Sequence, residues 1–106
     1  IDGKDLNAWE KALKKRTSLI FFETPSNPCL EIIDIEGVSK LAKKKEVLVV
    51  VDNVFATPLL QKPIKHGADI VMYSATKHID GQGRVLGGAI LGKRSYCDKF
   101  IKPFNI

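Results

Sequence analysis

An α/β fold with a mostly parallel sheet flanked by helices is what this 106-residue sequence predicts. Three observations lead there. Short apolar runs rich in β-branched and aromatic residues alternate with amphipathic segments. In the first half of the chain, the crossovers between those runs are long enough to hold a helix. One run, residues 46–51, is apolar on both faces, the pattern of a strand buried on both sides of a parallel sheet.

Asn7 caps the first helix, with Glu10 three residues on as its capping-box partner. Leu6, Trp9 and Leu13 then recur as a core-facing stripe. Residues 18–23 read as a buried strand, halted by Thr24-Pro25-Ser26-Asn27-Pro28, whose two prolines exclude helix and central strand. Asp34 caps a second helix carrying Ile35, Val38, Leu41 and Ala42 on one face. The strand at 46–51 stops at Asp52-Asn53, and a short helical turn is expected between Pro58 and Pro63. A third strand, 69–73, runs straight into Ser74-Ala75-Thr76-Lys77. Glycines from 81 to 88 lead into a fourth strand at 89–91, and residues 93–102 read as helical.

Composition narrows the function classes. The chain is 44% apolar and 27% charged, an ordinary globular balance with room for one modest core. Its formal net charge of +5 invites a nucleic-acid reading, but the basic runs Lys14-Lys15-Arg16 and Lys43-Lys44-Lys45 each close an amphipathic segment. There they complement a helix macrodipole. Only Trp9 offers an aromatic ring within either helix, and no recognition helix or stacking platform is evident. No nucleic-acid partner is expected. No apolar stretch reaches the ~18–20 residues that a membrane helix needs. Cys29 and Cys97 lie far apart without C-x-x-C spacing, which points to a reducing, cytoplasmic setting. His66 and His78 lack partners at metal-ligand spacing, so no metal site is expected. Cys29, without a paired histidine, is expected to be a buried or half-buried thiol with no catalytic role. The open ends of the chain read as those of an excerpt from something larger.

Two glycine motifs are set aside. Gly81-Gln82-Gly83-Arg84-Val85-Leu86-Gly87 places its third glycine one residue late for a dinucleotide fingerprint and leads into a strand, not a helix. The run from Gly87 to Lys93 has P-loop spacing but lacks the Ser/Thr that binds Mg²⁺. These glycines are better used for a turn and a close backbone approach.

In parallel α/β sheets, ligands gather beyond the carboxyl ends of the strands. If the three early strands are parallel, Asn27, Asp52, Ser74, Thr76 and Lys77 meet on that edge. Together they supply an amide, an acid, two hydroxyls and an amine. That set matches what pyridoxal phosphate requires: a lysine for the Schiff base, a carboxylate for the pyridine nitrogen, and hydroxyls for the phosphate.

At these residues the chain resembles the Cys/Met-metabolism pyridoxal-phosphate enzymes of transsulfuration. The resemblance is carried by Glu23-Thr24-Pro25-Ser26-Asn27-Pro28, by the run from Val51-Asp52-Asn53 to Pro58, and by the run from Gly67 to Lys77. It continues from His78 to Ala89, and the interval of 25 between Asp52 and Lys77 is the family's own. The resemblance implies that residues 1–106 are the central part of the large cofactor-binding domain of a fold-type I, aspartate aminotransferase-like enzyme. It implies that Lys77 carries the cofactor, Asp52 pairs with the pyridine nitrogen, Ser74 and Thr76 hold the phosphate, and Asn27 lies beside the 3′-oxygen and the substrate carboxylate. Val54 departs from the threonine common there, which bears on tuning rather than reaction class.

Within the family, Gly81-Gln82-Gly83-Arg84 looks most like the O-succinylhomoserine sulfhydrylases. The implied reaction is γ-replacement: O-succinyl- or O-acetyl-L-homoserine and sulfide give L-homocysteine and the carboxylic acid. The ring-stacking aromatic, the upstream phosphate contact, the substrate-carboxylate arginine and the neighbouring subunit's groups lie outside this chain. The resemblance therefore implies a homotetrameric intact enzyme and a fragment inactive alone. Sibling activities (cystathionine γ-synthase, cystathionine γ- or β-lyase, methionine γ-lyase) share Lys77 and Asp52. A non-catalytic α/β fragment is the alternative of another class.

Overall fold

Three short segments rich in β-branched or aromatic residues, 19–23, 48–52 and 70–74, become strands of one sheet. The computed structural model describes residues 1–14 and 16–101. The strands are β1 (Leu19–Glu23), β2 (Leu48–Asp52), β3 (Ile70–Ser74) and β4 (Gly88–Gly92), in the spatial order β1-β2-β3-β4. The first three are parallel and β4 is antiparallel to β3. Among the described residues no helix is long and apolar enough to cross a membrane, and no group of three or more His, Cys, Asp or Glu side chains is placed to hold a metal ion.

Helix α1 (Leu6–Ala12) and helix α2 (Ile35–Lys43) cover one face of the sheet. Strand alternation sends Ile20, Phe22, Val49 and Val51 to that face, where they pack with Trp9, Leu13, Val38 and Ala42. Full burial of a valine or a larger apolar side chain is worth about 1.5–3 kcal/mol, so this layer is the stabilising core. The Trp9 and Phe22 rings meet at 5.4 Å between centroids, and Trp9 donates its indole N–H to the Gly3 carbonyl at 2.8 Å. The other face is open: Leu19, Phe21 and Ile90 are 48%, 53% and 54% exposed.

Several sequence expectations change here. The cap of α1 is Asp5, not Asn7: the Asp5 carboxylate accepts the Asn7 backbone N–H at 2.8 Å. The helix thus starts earlier, and Leu6 sits in its half-exposed first turn. Because helices cover only one face and β1 is an edge strand, residues 18–23 are not fully buried; only alternate residues of β1 are. Cys29 is exposed, not buried or half-buried, because it sits in the proline turn outside the core. The first basic run lies beyond the end of α1, and its Lys15 falls outside the described residues.

Asp34 caps α2 as expected, accepting the Gly37 N–H at 3.0 Å. The loop after β2 carries two short helical turns, α3 (Thr57–Leu60) and a 3₁₀ turn (Pro63–His66). The glycine uses also agree. Gly81 and Gly83 turn with φ of +78° and +67°, a region open to glycine at little cost. A Cβ at Gly92 would stand 3.0 Å from the Asp69 carbonyl across the β3–β4 pair. Beyond β4 the chain turns through α4 (Arg94–Tyr96) and a wide helical turn at Cys97–Ile101; residue 102 of the expected helix lies outside the described residues.

Candidate functional site

The register sets the geometry of the carboxyl edge. Glu23 of β1 pairs with Asp52 of β2, and Asp52 pairs with Met72 of β3. Alternation then puts Glu23, Asp52, Met72 and Ser74 on the same, open face. The parallel arrangement does bring the strand ends to one edge, in the order Asn27 beyond β1, Asp52 closing β2, and Ser74 closing β3.

Asp52 is half-buried, and its Oδ1 accepts the Val54 N–H at 3.0 Å. Oδ2 has no hydrogen-bond partner among the described residues. Beyond Ser74 the chain enters a single wide helical turn, Ala75–Ile79, closed by Asp80 N–H to the Ala75 carbonyl at 2.9 Å. Such π-type turns recur at functional sites. Lys77 breaks its regularity, with φ −90° and ψ −113°. Its side chain is exposed, and its amine has no hydrogen-bond or ion-pair partner among the described residues. The Ser74 hydroxyl and the exposed Asn27 side-chain amide are likewise unengaged within the described chain.

Thr76 is different. Its hydroxyl accepts the Gly87 N–H at 3.2 Å and points its proton to the Gly87 carbonyl at 3.5 Å. Ala75 N–H donates to the same carbonyl at 2.8 Å, so the turn is tied to the start of β4. On its other side the turn is tied to the segment after Asp52: the Phe55 and His78 rings meet edge to face, 6.3 Å apart at 83°. The loops that follow β2 and β3 are thus in contact. No hydrogen bond or ion pair joins the Asp52 and Lys77 side chains, and Asn27, beyond β1, stands on the far side of Asp52 from Lys77. Two cavities, of about 850 and 170 Å³, lie elsewhere. The larger opens at the opposite edge, around Val47, Ala68 and Asp69. At the carboxyl edge Asn27 and Lys77 are exposed, and Asp52, Ser74 and Thr76 are half-buried.

Sequence reasoning assigned no role to several residues that build this edge. Glu23 accepts the Asn27 backbone N–H at 2.9 Å and so fixes the proline turn. Thr24 and Asn53 are fully buried, and Gln61 and Tyr73 are bonded to Asn53. Glu23 was legible in principle, because it ends an apolar strand as Asp52 does. The Asn53 contacts were not, since they join residues eight and twenty apart.

The donor set fits pyridoxal phosphate. Asp52 and Ser74 offer a carboxylate and a hydroxyl on one face of adjacent strands, and the Lys77 amine stands three residues on; Asp52 Oδ2, the Ser74 hydroxyl and the Lys77 amine are unengaged among the described residues, whereas Thr76 is bonded to Gly87.

Comparison with known proteins agrees. Residues 1–105 match the Cys/Met metabolism PLP-dependent enzyme family. The chain is 60% identical over 98 residues to O-succinylhomoserine sulfhydrylase of Mycobacterium tuberculosis, covering 92% of this chain and 24% of that protein. It is 46% identical over 100 residues to L-methionine gamma-lyase of Fusobacterium nucleatum subsp. polymorphum, covering 93% of this chain and 25% of that one. Its fold superposes on the crystal structure of metB from Corynebacterium glutamicum with a TM-score of 0.89 and 43% identity, over 92% of this chain and 26% of that one. The chain spans about a quarter of the length of these relatives.

Proposed function

We propose that this chain, which belongs to the Cys/Met metabolism PLP-dependent enzyme family, is the central piece of the cofactor-binding domain of a γ-replacement enzyme. The substrates are O-succinyl- or O-acetyl-L-homoserine and sulfide: the Cγ–O bond breaks as a Cγ–S bond forms, and the products are L-homocysteine and succinate or acetate. The observation that carries the cofactor reading is the placement of Asp52 and Ser74 on one face of adjacent strand ends, with the unengaged Lys77 amine just beyond.

Pyridoxal phosphate, when bound, supplies the electron sink that stabilises negative charge at the substrate's α-carbon. The protein residues do the rest. Lys77 would hold the cofactor through its amine, and that amine, when free, would move the substrate's α-proton. The Asp52 carboxylate keeps a proton on the ring nitrogen, with Oδ1 steadied by the Val54 N–H. Ser74 would donate its hydroxyl proton in a hydrogen bond to the cofactor's phosphate. Thr76, whose hydroxyl proton is aimed at the Gly87 carbonyl at 3.5 Å, would offer that proton to the phosphate while still accepting the Gly87 N–H. Asn27, held by Glu23, offers its amide to the cofactor's 3′-oxygen and the substrate carboxylate. In this reading the intact enzyme is a cytoplasmic homotetramer, and the fragment alone is inactive.

The choice of γ-replacement rests on identity: 60% to the sulfhydrylase against 46% to the methionine gamma-lyase. A substrate panel on the intact protein tests it. Acyl-homoserine with sulfide is expected to give homocysteine faster than methionine or cystathionine is cleaved. Faster release of methanethiol from methionine would assign the lyase activity instead.

A further inference from the structure

We infer that Asn53 and Gln61 are positioning residues: the buried amide of Asn53 and the half-buried amide of Gln61 fix the spacing of the three parallel strand ends, and through them the Asp52 carboxylate relative to the Ser74–Lys77 turn. The inference rests on the cofactor reading of Asp52 and Lys77. Asn53 is 0% exposed, so its amide must find partners inside the protein. Its Nδ2 lies 2.9 Å from the Tyr73 hydroxyl, 2.9 Å from the Gln61 carbonyl and 3.2 Å from the Thr57 carbonyl. Its Oδ1 accepts from Gln61 Nε2 at 2.8 Å, and the same Nε2 donates to the Thr24 carbonyl at 2.7 Å. The Asn53 backbone N–H donates to the Met72 carbonyl at 3.1 Å.

Two amides therefore bind together Thr24 at the end of β1, Asn53 at the end of β2 and Tyr73 near the end of β3. Each is a sequence neighbour of a site residue: Thr24 follows Glu23, Asn53 follows Asp52, and Tyr73 precedes Ser74. Alternation puts Tyr73, and with it the network, on the side of the sheet away from Asp52 and Ser74. The network therefore acts through the backbone, without touching cofactor or substrate.

Thr57 shows how tightly the network determines its surroundings. This β-branched residue has φ +63°, a conformation that persists only where neighbours over-determine it. Asn53 binds it twice: the Thr57 N–H donates to the Asn53 carbonyl at 3.1 Å, and the Thr57 carbonyl accepts from Asn53 Nδ2.

The test uses the intact protein reconstituted with pyridoxal 5′-phosphate. Gln61→Met keeps length and volume while deleting both donors; Tyr73→Phe deletes one hydroxyl and serves if Gln61→Met does not fold. Val38→Ala, in the core of α2, is the control for destabilisation alone. The readouts are cofactor affinity, the pH midpoint of the visible band of the lysine-linked cofactor, and Tm. Gln61→Met is expected to weaken cofactor binding ~10-fold and to move the band's midpoint by roughly half a pH unit, with Tyr73→Phe smaller in the same direction. Val38→Ala is expected to lower Tm and leave both spectral readouts alone. Wild-type affinity and midpoint in both network variants would overturn the inference while the cofactor reading stood. A wild-type protein with no cofactor linked at Lys77 would overturn the cofactor reading first and this inference with it.

Discussion

Asp52 and Asn53 are consecutive, yet they serve opposite sides of the sheet. Asn53 is sealed among Thr57, Gln61 and Tyr73, with every polar atom of its side chain engaged. Asp52 faces the open side and spends one oxygen on the Val54 N–H. The same division holds across the carboxyl edge. Behind it, Thr24, Asn53, Gln61 and Tyr73 form a closed hydrogen-bonded set; in front, Asp52, Ser74, Lys77 and Asn27 keep groups unengaged within the described chain. A buried polar group left unpaired costs about 1–3 kcal/mol, so the back set is committed to the fold. The front groups pay no such penalty at the open surface and remain available to a ligand.

Substitutions in the intact protein can break or sharpen this contrast. The largest effect is expected at Lys77→Ala: turnover falls by ~10³-fold or more, since the covalent attachment and proton transfer proposed for Lys77 would be lost together. Steady-state kinetics checks it, and near-normal kcat would move the chemistry to another residue. Asp52→Ala comes next. It is expected to lower kcat by ~10²-fold while cofactor retention changes far less, because the role proposed for Asp52 is electronic. Equal losses in both would make Asp52 a structural carboxylate. Val51→Ala, one residue before Asp52 but on the helix face, is expected to cost about 2 kcal/mol of stability and leave the cofactor spectrum unchanged. Denaturant titration with absorption spectra separates the two.

The smallest effect is expected far from the edge, at the exposed Glu36–Lys40 pair. The Lys40 ammonium, hydrogen-bonded to Glu36 at 2.6 Å, holds that carboxyl below the usual glutamate range. The pair's contribution is therefore present above the unfolded carboxylate's value and fades as pH falls through the lowered one. Surface pairs of this kind contribute little. Lys40→Ala is expected to blunt the acid limb of a Tm-against-pH curve slightly and to leave turnover unchanged.

Much of this was readable beforehand. The α/β alternation, the both-faces-apolar β2, the Asp34 cap and the meeting of Asn27, Asp52 and Ser74 on one edge follow from periodicity and from the rule that parallel strands share a ligand edge. What was not readable depends on contacts between distant residues. Asp5 competes with Asn7 as a cap, and local pattern alone does not rank them. The half-exposure of β1 depends on which face the helices cover. Asn53 looks like the polar end of a strand until Gln61 and Tyr73 are brought to it across eight and twenty residues. The front of the site is written in residue types, the back in tertiary contacts.

Borohydride reduction of the intact protein with bound cofactor, followed by peptide mapping, measures most directly which amine carries the pyridoxal group. Reduction is expected to fix the cofactor on Lys77 alone, and Lys77→Ala to lose the covalent adduct. An adduct on a different lysine, or one formed at normal yield in Lys77→Ala, would contradict the assignment of this edge as the cofactor site.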